Sequence, residues 1–382
     1  MTSKQTSQQR DSLFSSMCAR DPNESHRVAT PLELFFDLVF VVAVAQAAVA
    51  LHHGIAEGHI REIIPIYIRL FFGIWWAWMN FTWFASAYDC DDVPYRLLVF
   101  VQMVGAVMFA AAAPDFVAGD FFRGVGAYVI MRLAMVAQWL RAARSDPDRR
   151  TTTLRYATGV ALVQVGWVGF LFLPAEWQSG AFALLVLAEL LVPVWAERAG
   201  NTTWHPHHIA ERYGLFTIIV LGESVLSLTL AARSALDAGG LNGELLLIVA
   251  GGLLILFSMW WIYFEWSAEN MLTSLRQAFL WGYGHYFVYA AAAAVGAGLA
   301  VAIDQATHHA EISAGTAAAA VAVPVSVFLG ALLFIHGRIK PTVLIGALLV
   351  LATPLLGLSG IFAAGLVLAG IIAAAYLPSV QA

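Results

Sequence analysis

Two stretches of this 382-residue sequence set carboxylates inside otherwise apolar runs. The first reads Glu33-Leu34-Phe35-Phe36-Asp37-Leu38-Val39-Phe40-Val41. The second runs from Glu211-Arg212-Tyr213-Gly214 to Gly222-Glu223-Ser224. A charge inside a hydrocarbon layer costs roughly 3 kcal/mol on insertion scales, so such acids are kept for a partner or for work. The work open to them is proton transfer or cation binding. Glu223 is the sharpest case: a helix places it about 18 Å along the axis from Glu211, on the face of Arg212 and Ser227. Arg132, in the middle of another apolar run, is a candidate partner, and a structural ion pair is the competing account. Asp37 falls one turn beyond Glu33, about 6 Å along the axis, with Arg27 or Arg212 as possible structural partners. Thr30-Pro31-Leu32-Glu33 also reads as a capping box. The second stretch lacks one, because Pro206 at the first helical position puts His208, not Glu211, at the third.

Further polar residues follow tryptophans. Asn80 and Glu265 each stand four residues after one of a matched Trp pair, Trp76 and Trp261. Arg69, Trp76 and Asn80 share one helical stripe. Arg69, Trp76 and Trp261 are the cavity-lining candidates, with packing as the competing role for the tryptophans. His285 lies about two turns into its span and reads as an interior histidine or a proton relay. His205-Pro206-His207-His208 has no Cys or carboxylate at zinc-like spacing, so no metal is expected, and no cofactor.

The elements that carry these residues are membrane helices. The chain is 60% hydrophobic and 12% charged, with mean hydropathy +0.75, whereas soluble domains carry about 25% charged residues. The net charge of −5 gives nothing for a nucleic-acid partner. Cys18 and Cys90 are the only cysteines, so no disulfide framework exists. Residues 1–27 are polar and lack an apolar signal region. At about 20 apolar residues per crossing, spans fall at 31–51, 64–88, 95–113, 121–143, 153–173, 179–197, 209–232, 244–268, 276–302, 312–335, 341–356 and 359–377. Only Pro354 and the run 356–360 separate the last two.

Lysines and arginines give the orientation. With the N-terminus inside, the inner segments hold Lys4, Arg10, Arg20, Arg27, Arg96, Arg141, Arg144, Arg149, Arg150, Arg155, Arg198, Arg212, Arg276, Arg338 and Lys340. The outer ones hold Arg61, Arg123 and Arg233. This bias predicts a multi-pass protein of the plasma (inner) membrane with both termini cytoplasmic.

The second half resembles the first. Each half opens on an acidic helix, continues with a Trp-Trp helix (Trp75-Trp76 and Trp260-Trp261), and then pairs Arg96-Leu97 with Leu275-Arg276. The fold expected is an all-α polytopic bundle of about twelve helices in two parallel six-helix repeats. Its parts are a polar segment 1–27, repeats 28–198 and 209–382, and a linker 199–208. The two acidic stretches, the Trp-rich second helix and Trp281-Gly282-Tyr283-Gly284-His285-Tyr286 resemble the bacterial low-temperature-requirement A family, over most of residues 26–340. The resemblance implies a multi-spanning membrane protein and brings no substrate with it.

The function expected is a permease or channel-like protein handling protons or a cation, its partners the lipid bilayer and a small ion or molecule. Glu33, Asp37, Asn80, Glu211 and Glu265 are expected at a cytoplasmic polar mouth, with Glu223, Arg132 and His285 deeper and Arg212 on the path. The alternative is a membrane-embedded enzyme using carboxylate acid/base chemistry on a lipid or isoprenoid, though the sequence carries no Asp-rich magnesium motif, phosphate loop or nucleophile motif.

Overall fold

The computed structural model describes residues 15–25, 27–237, 239, 242–266 and 271–376. Lys4 and Arg10, which contribute to the charge bias, lie outside them, as do the last residues of the spans expected at 244–268 and 359–377. The described chain is helical, with no strand among the described residues. In order, the helices are α1 (Pro31–Ala56), α2 (Ile60–Tyr88), α3 (Val93–Ala111), the short α4 (Ala113–Val117), α5 (Phe122–Ser145), α6 (Arg150–Phe170), α7 (Ala175–Glu197), α8 (Pro206–Asp237), α9 (Gly243–Phe264), α10 (Leu275–Ala306), α11 (Ala314–His336), α12 (Pro341–Ala352) and α13 (Ser359–Tyr376).

Local chemistry sets the boundaries. Asp92, Asn242 and Ser313 cap α3, α9 and α11 by accepting the backbone N–H of Tyr95, Leu245 and Thr316. His205 does this for α8, its ring Nδ1 lying 3.3 Å from the N–H of His208. α12 stops where Pro354 removes a backbone donor. A 3₁₀ turn (Thr353–Leu356) and Gly357, at φ +62°, then reverse the chain into α13.

Among the described residues nine helices are long and apolar enough to cross a membrane: α1, α2, α3, α7, α8, α9, α10, α11 and α13. α5 and α6 fall short because of Arg123, Arg132, Arg141, Arg144, Arg150 and Arg155. α12 falls short by its length.

The chain forms two compact units. The first comprises Met1–Ala43 and Gly73–Arg212. In it α3, α5, α6 and α7 pack serially, each on the next, and Trp139 of α5 stacks on Tyr156 of α6 at 4.1 Å. The second comprises Val44–Phe72 and Tyr213–Ala382. Its centre is α10, buried without interruption from Ala291 to Ile303. That run is mostly Ala and Gly, which lets α11 approach at backbone distance. α13 packs on α9.

Candidate functional site

The first unit encloses a cluster of ionisable side chains built on facing i, i+4 pairs. α1 presents Glu33 and Asp37; α8 presents His208 and Arg212. All four are 0% exposed. The capping box forms: Thr30 N–H donates to Glu33 Oε2 at 2.7 Å, and Glu33 N–H to Thr30 Oγ1 at 3.3 Å. Glu33 therefore spends one oxygen on the helix start and turns the other into the cluster. There Oε1 lies 3.0 Å from Arg212 Nη1, 3.1 Å from His208 Nε2 and 3.7 Å from Arg27 Nη2. None of these contacts has hydrogen-bond alignment. Glu33 Oε1, Arg212 Nη1 and both His208 nitrogens are buried without a hydrogen bond among the described residues.

Asp37 is held more firmly. Its Oδ1 accepts Arg212 Nη2 at 2.5 Å and Trp78 Nε1 at 2.7 Å, and its Oδ2 accepts Arg212 Nε at 3.2 Å. Arg212 is thus the structural partner foreseen for Asp37 as one of two. Arg27, the other, faces Glu33 and Asp89, the latter at 3.5 Å. Asp89 lies between α2 and α3. Burial pushes its carboxyl up to about 6, and the Glu33 charge adds to this while Arg27 and Arg20 oppose it. Burial would raise Asp92 too, but the N–H groups of Ser15 and Tyr95 and the Arg141 guanidinium outweigh it and hold that carboxyl below its ordinary value. Glu211 is half-buried and accepts the N–H of Ala29 at 2.9 Å.

A second knot in the same unit surrounds Glu189 of α7. Its Oε2 accepts Arg132 Nη2 and Trp76 Nε1, both at 2.9 Å. Its Oε1 accepts Tyr128 at 2.9 Å, Gln164 at 3.1 Å and Trp167 at 3.3 Å. Arg132 also donates to Asn80 Oδ1 at 3.2 Å. This corrects the expected grouping. Arg132 takes Glu189 as its carboxylate, not Glu223, and Asn80 joins that knot, not a mouth with Glu33 and Asp37. Trp76 serves as a hydrogen-bond donor to Glu189.

The second unit holds the remaining candidates. His285 is buried with both ring nitrogens engaged: Nδ1 lies 2.7 Å from the Trp281 carbonyl and Nε2 lies 3.0 Å from the Tyr263 hydroxyl. A carbonyl only accepts, so Nδ1 carries the proton and Tyr263 donates to Nε2. Tyr213, Trp281 and Tyr289 pack round the ring. Glu223 is half-buried and accepts Ser227 Oγ at 3.3 Å, so the deepest acids are Glu33, Asp37 and Glu189 instead. Glu265 and Trp261 are exposed, both bonded to the Tyr376 hydroxyl. Arg69 is half-buried. The unit also contains a cavity of about 470 Å³ lined by α1, α2, α10 and α11, where the Tyr67 hydroxyl is tied to the Ala290 carbonyl and the Tyr286 hydroxyl to that of Ile68.

A family model described as bacterial low temperature requirement A protein (LtrA) matches residues 28–380. The chain belongs to that family. It spans all but the first residues and the last two, and the helices suit a membrane protein, so this is an LtrA-family membrane protein. A protein of Rhizobium meliloti (strain 1021), itself described as uncharacterized, is 28% identical over 288 residues, covering 70% of this chain and 67% of that protein. No solved structure matches.

Two residues of this LtrA-family chain escaped the sequence reading. Glu189 is a lone carboxylate in an apolar span, the same signal that singled out Glu223. His208 stands four residues before Arg212, one helical turn away, and that spacing is the signal that sets the two on one face.

Proposed function

We propose that the protein is a permease or channel-like transporter that handles protons or a small cation through the Glu33–Asp37–His208–Arg212 cluster. One observation carries this reading. Of the two buried charge clusters, one has a central carboxylate with both oxygens saturated, and in the other the carboxylate of Glu33 has one oxygen without a hydrogen bond. Glu189 accepts five hydrogen bonds, which fixes its place. Glu33 Oε1 and His208 face each other at 3.1 Å without alignment. A carboxylate and an imidazole at that spacing can share or pass a proton after a small side-chain rotation. Intramembrane ionisable groups that are not locked into structure mark ion pathways.

The reading includes twelve crossings in two parallel six-helix repeats, 28–198 and 209–382, both termini being cytoplasmic in the plasma membrane. What supports the crossings of α5 and α6 is the direction of their side chains. α6 turns Gln164 and Trp167 toward Glu189, while Leu162 and Val165 are 65% and 70% exposed. α5 turns Arg132 inward and Leu133 outward. Apart from Thr158 of α6 and Arg123 at the start of α5, the outward faces of both helices are apolar over their middle turns.

Reconstitution in liposomes tests the function. Proton, sodium and potassium flux should fall about tenfold or more in His208→Gln, the loss expected of a proton-transfer group, and little in Glu223→Gln. Flux in His208→Gln equal to the wild type would overturn the assignment. The apolar cavity favours a second reading, an enzyme acting on a lipid or isoprenoid. Its lining carries no carboxylate, so acid/base chemistry would need a group from elsewhere. Lipid turnover in a membrane extract, with no ion flux, would select it.

A further inference from the structure

Residues 15–25 and 27–30 form no helix, yet they touch the rest of the first unit at several points. Ser15 N–H donates to Asp92 and Arg20 N–H to the Ala87 carbonyl, both at 2.9 Å. His205 Nε2 reaches the Glu24 carbonyl at 2.9 Å, and His207 Nδ1 reaches that of Arg27 at 3.3 Å. Ala29 N–H donates to Glu211. Met17 and Arg27 are the only buried side chains among these described residues. The segment is thus pinned by polar contacts, by the buried Arg27 and by a single apolar anchor, Met17.

Arg27 supplies one of two arginines in the buried cluster. With it, three carboxylates (Glu33, Asp37, Asp89) face Arg27 and Arg212. Arg20 of the same segment also reaches Asp89, at 3.6 Å, so with the segment lifted the three face Arg212 alone, and the buried, unbonded Glu33 Oε1 loses a positive neighbour. A cluster so depleted attracts a cation.

We propose that residues 15–25 and 27–30 are a strap that closes the ionic cluster, with Arg27 standing in as a tethered counter-ion, and that lifting the strap admits a small monovalent cation or proton. This rests on the transport reading and names its regulation. The Asp89 anchor gives the strap a handle. Asp89 is faced by Arg20 and Arg27 of the strap, Glu33 of α1, Asp91 of its own loop and Tyr95 of α3. Protonating it weakens both arginine contacts at once.

The experiment uses full-length protein in nanodiscs and liposomes, comparing wild type, Arg27→Lys, Arg27→Gln and the double variant Arg27→Gln with Asp89→Asn. The double variant removes an acid together with the base, so it reports even if the single change fails to fold. Hydrogen exchange of the strap should quicken about tenfold in the Gln variants, as expected on losing charge-assisted bonds, and the initial sodium, potassium or proton flux should rise by a similar factor. Arg27→Lys should stay near wild type. Unchanged exchange overturns the strap. Faster exchange with flux present but unchanged overturns its role as a gate. If the strap loosens but no preparation, wild type included, carries any of the three ions, the transport reading is what fails, and the gate falls with it.

Discussion

Glu189 and Glu33 are both fully buried glutamates, and their surroundings assign them different fates. Five donors point at Glu189, three at one oxygen and two at the other. An amide there must present its NH₂ to at least two donors whichever way it turns. Glu189→Gln should therefore lower the melting temperature or the folded yield sharply, by about 3–5 kcal/mol of stability as for a broken buried pair. A wild-type melting curve for this variant would show the knot to be dispensable. Asp37→Ala should cost a similar amount, because it strands the Arg212 guanidinium that Asp37 grips at two nitrogens. Asp37 and Arg212 were readable as chemistry because each is a charge in an apolar run. Which charge meets which was not readable, because pairing depends on helix rotation and neighbours far apart in sequence. Arg132 and Glu189 show this: Arg132 stands out as an intramembrane charge, but 57 residues separate it from Glu189, which was not singled out from the sequence.

At the scale of elements, the helices were largely legible, because a run of about 20 apolar residues in a membrane has few alternatives to a helix. The close contacts between them were less so. A Cβ at Gly298 of α10 would run into the Ala320 backbone carbonyl of α11, whereas one at Gly330 of α11 meets nothing within 4 Å. Gly298→Ala should cost about 1–3 kcal/mol as overpacking against an unyielding backbone. Gly330→Ala should be neutral or gain up to about 1 kcal/mol from helix propensity. Thermal unfolding of the two variants side by side checks the contrast, and equal behaviour would contradict the packing. The α2–α3 loop makes a pH prediction. The Asp89 carboxyl titrates at about 6 in the folded chain against 3.8 ordinarily, so the folded form binds its proton more tightly. Stability should rise as pH falls from about 6 to 4 and be flat with respect to this group above that window. Asp89→Asn should remove that rise in a melting series between pH 4 and 7.

For the whole molecule, composition decided the class at once: 12% charged residues leave no soluble surface for a chain of this length. Orientation rests on where lysine and arginine fall, and Cys18 offers a direct check because its thiol is exposed. In intact cells of a Cys90→Ser variant, Cys18 should react with a membrane-permeant maleimide and resist an impermeant one. Labelling by the impermeant reagent would reverse the topology. The expectation of two alike halves rests on the Trp-Trp pairs, but Trp75 and Trp76 are buried while Trp260 and Trp261 are exposed, and the Glu33–Asp37 arrangement has no copy in the second half, where Glu223 sits half-buried beside Ser227.

The capping carboxylate of Glu33 has a mechanical consequence. One oxygen holds the first turn of α1 through Thr30, and the other faces Arg212, His208 and Arg27. A proton arriving on the inner oxygen also weakens the outer one as an acceptor, so a change of charge is felt as a loosened helix end. On the proposed transport reading the side chain would be a transducer, converting an electrostatic event into slack where the polar N-terminal segment becomes a helix.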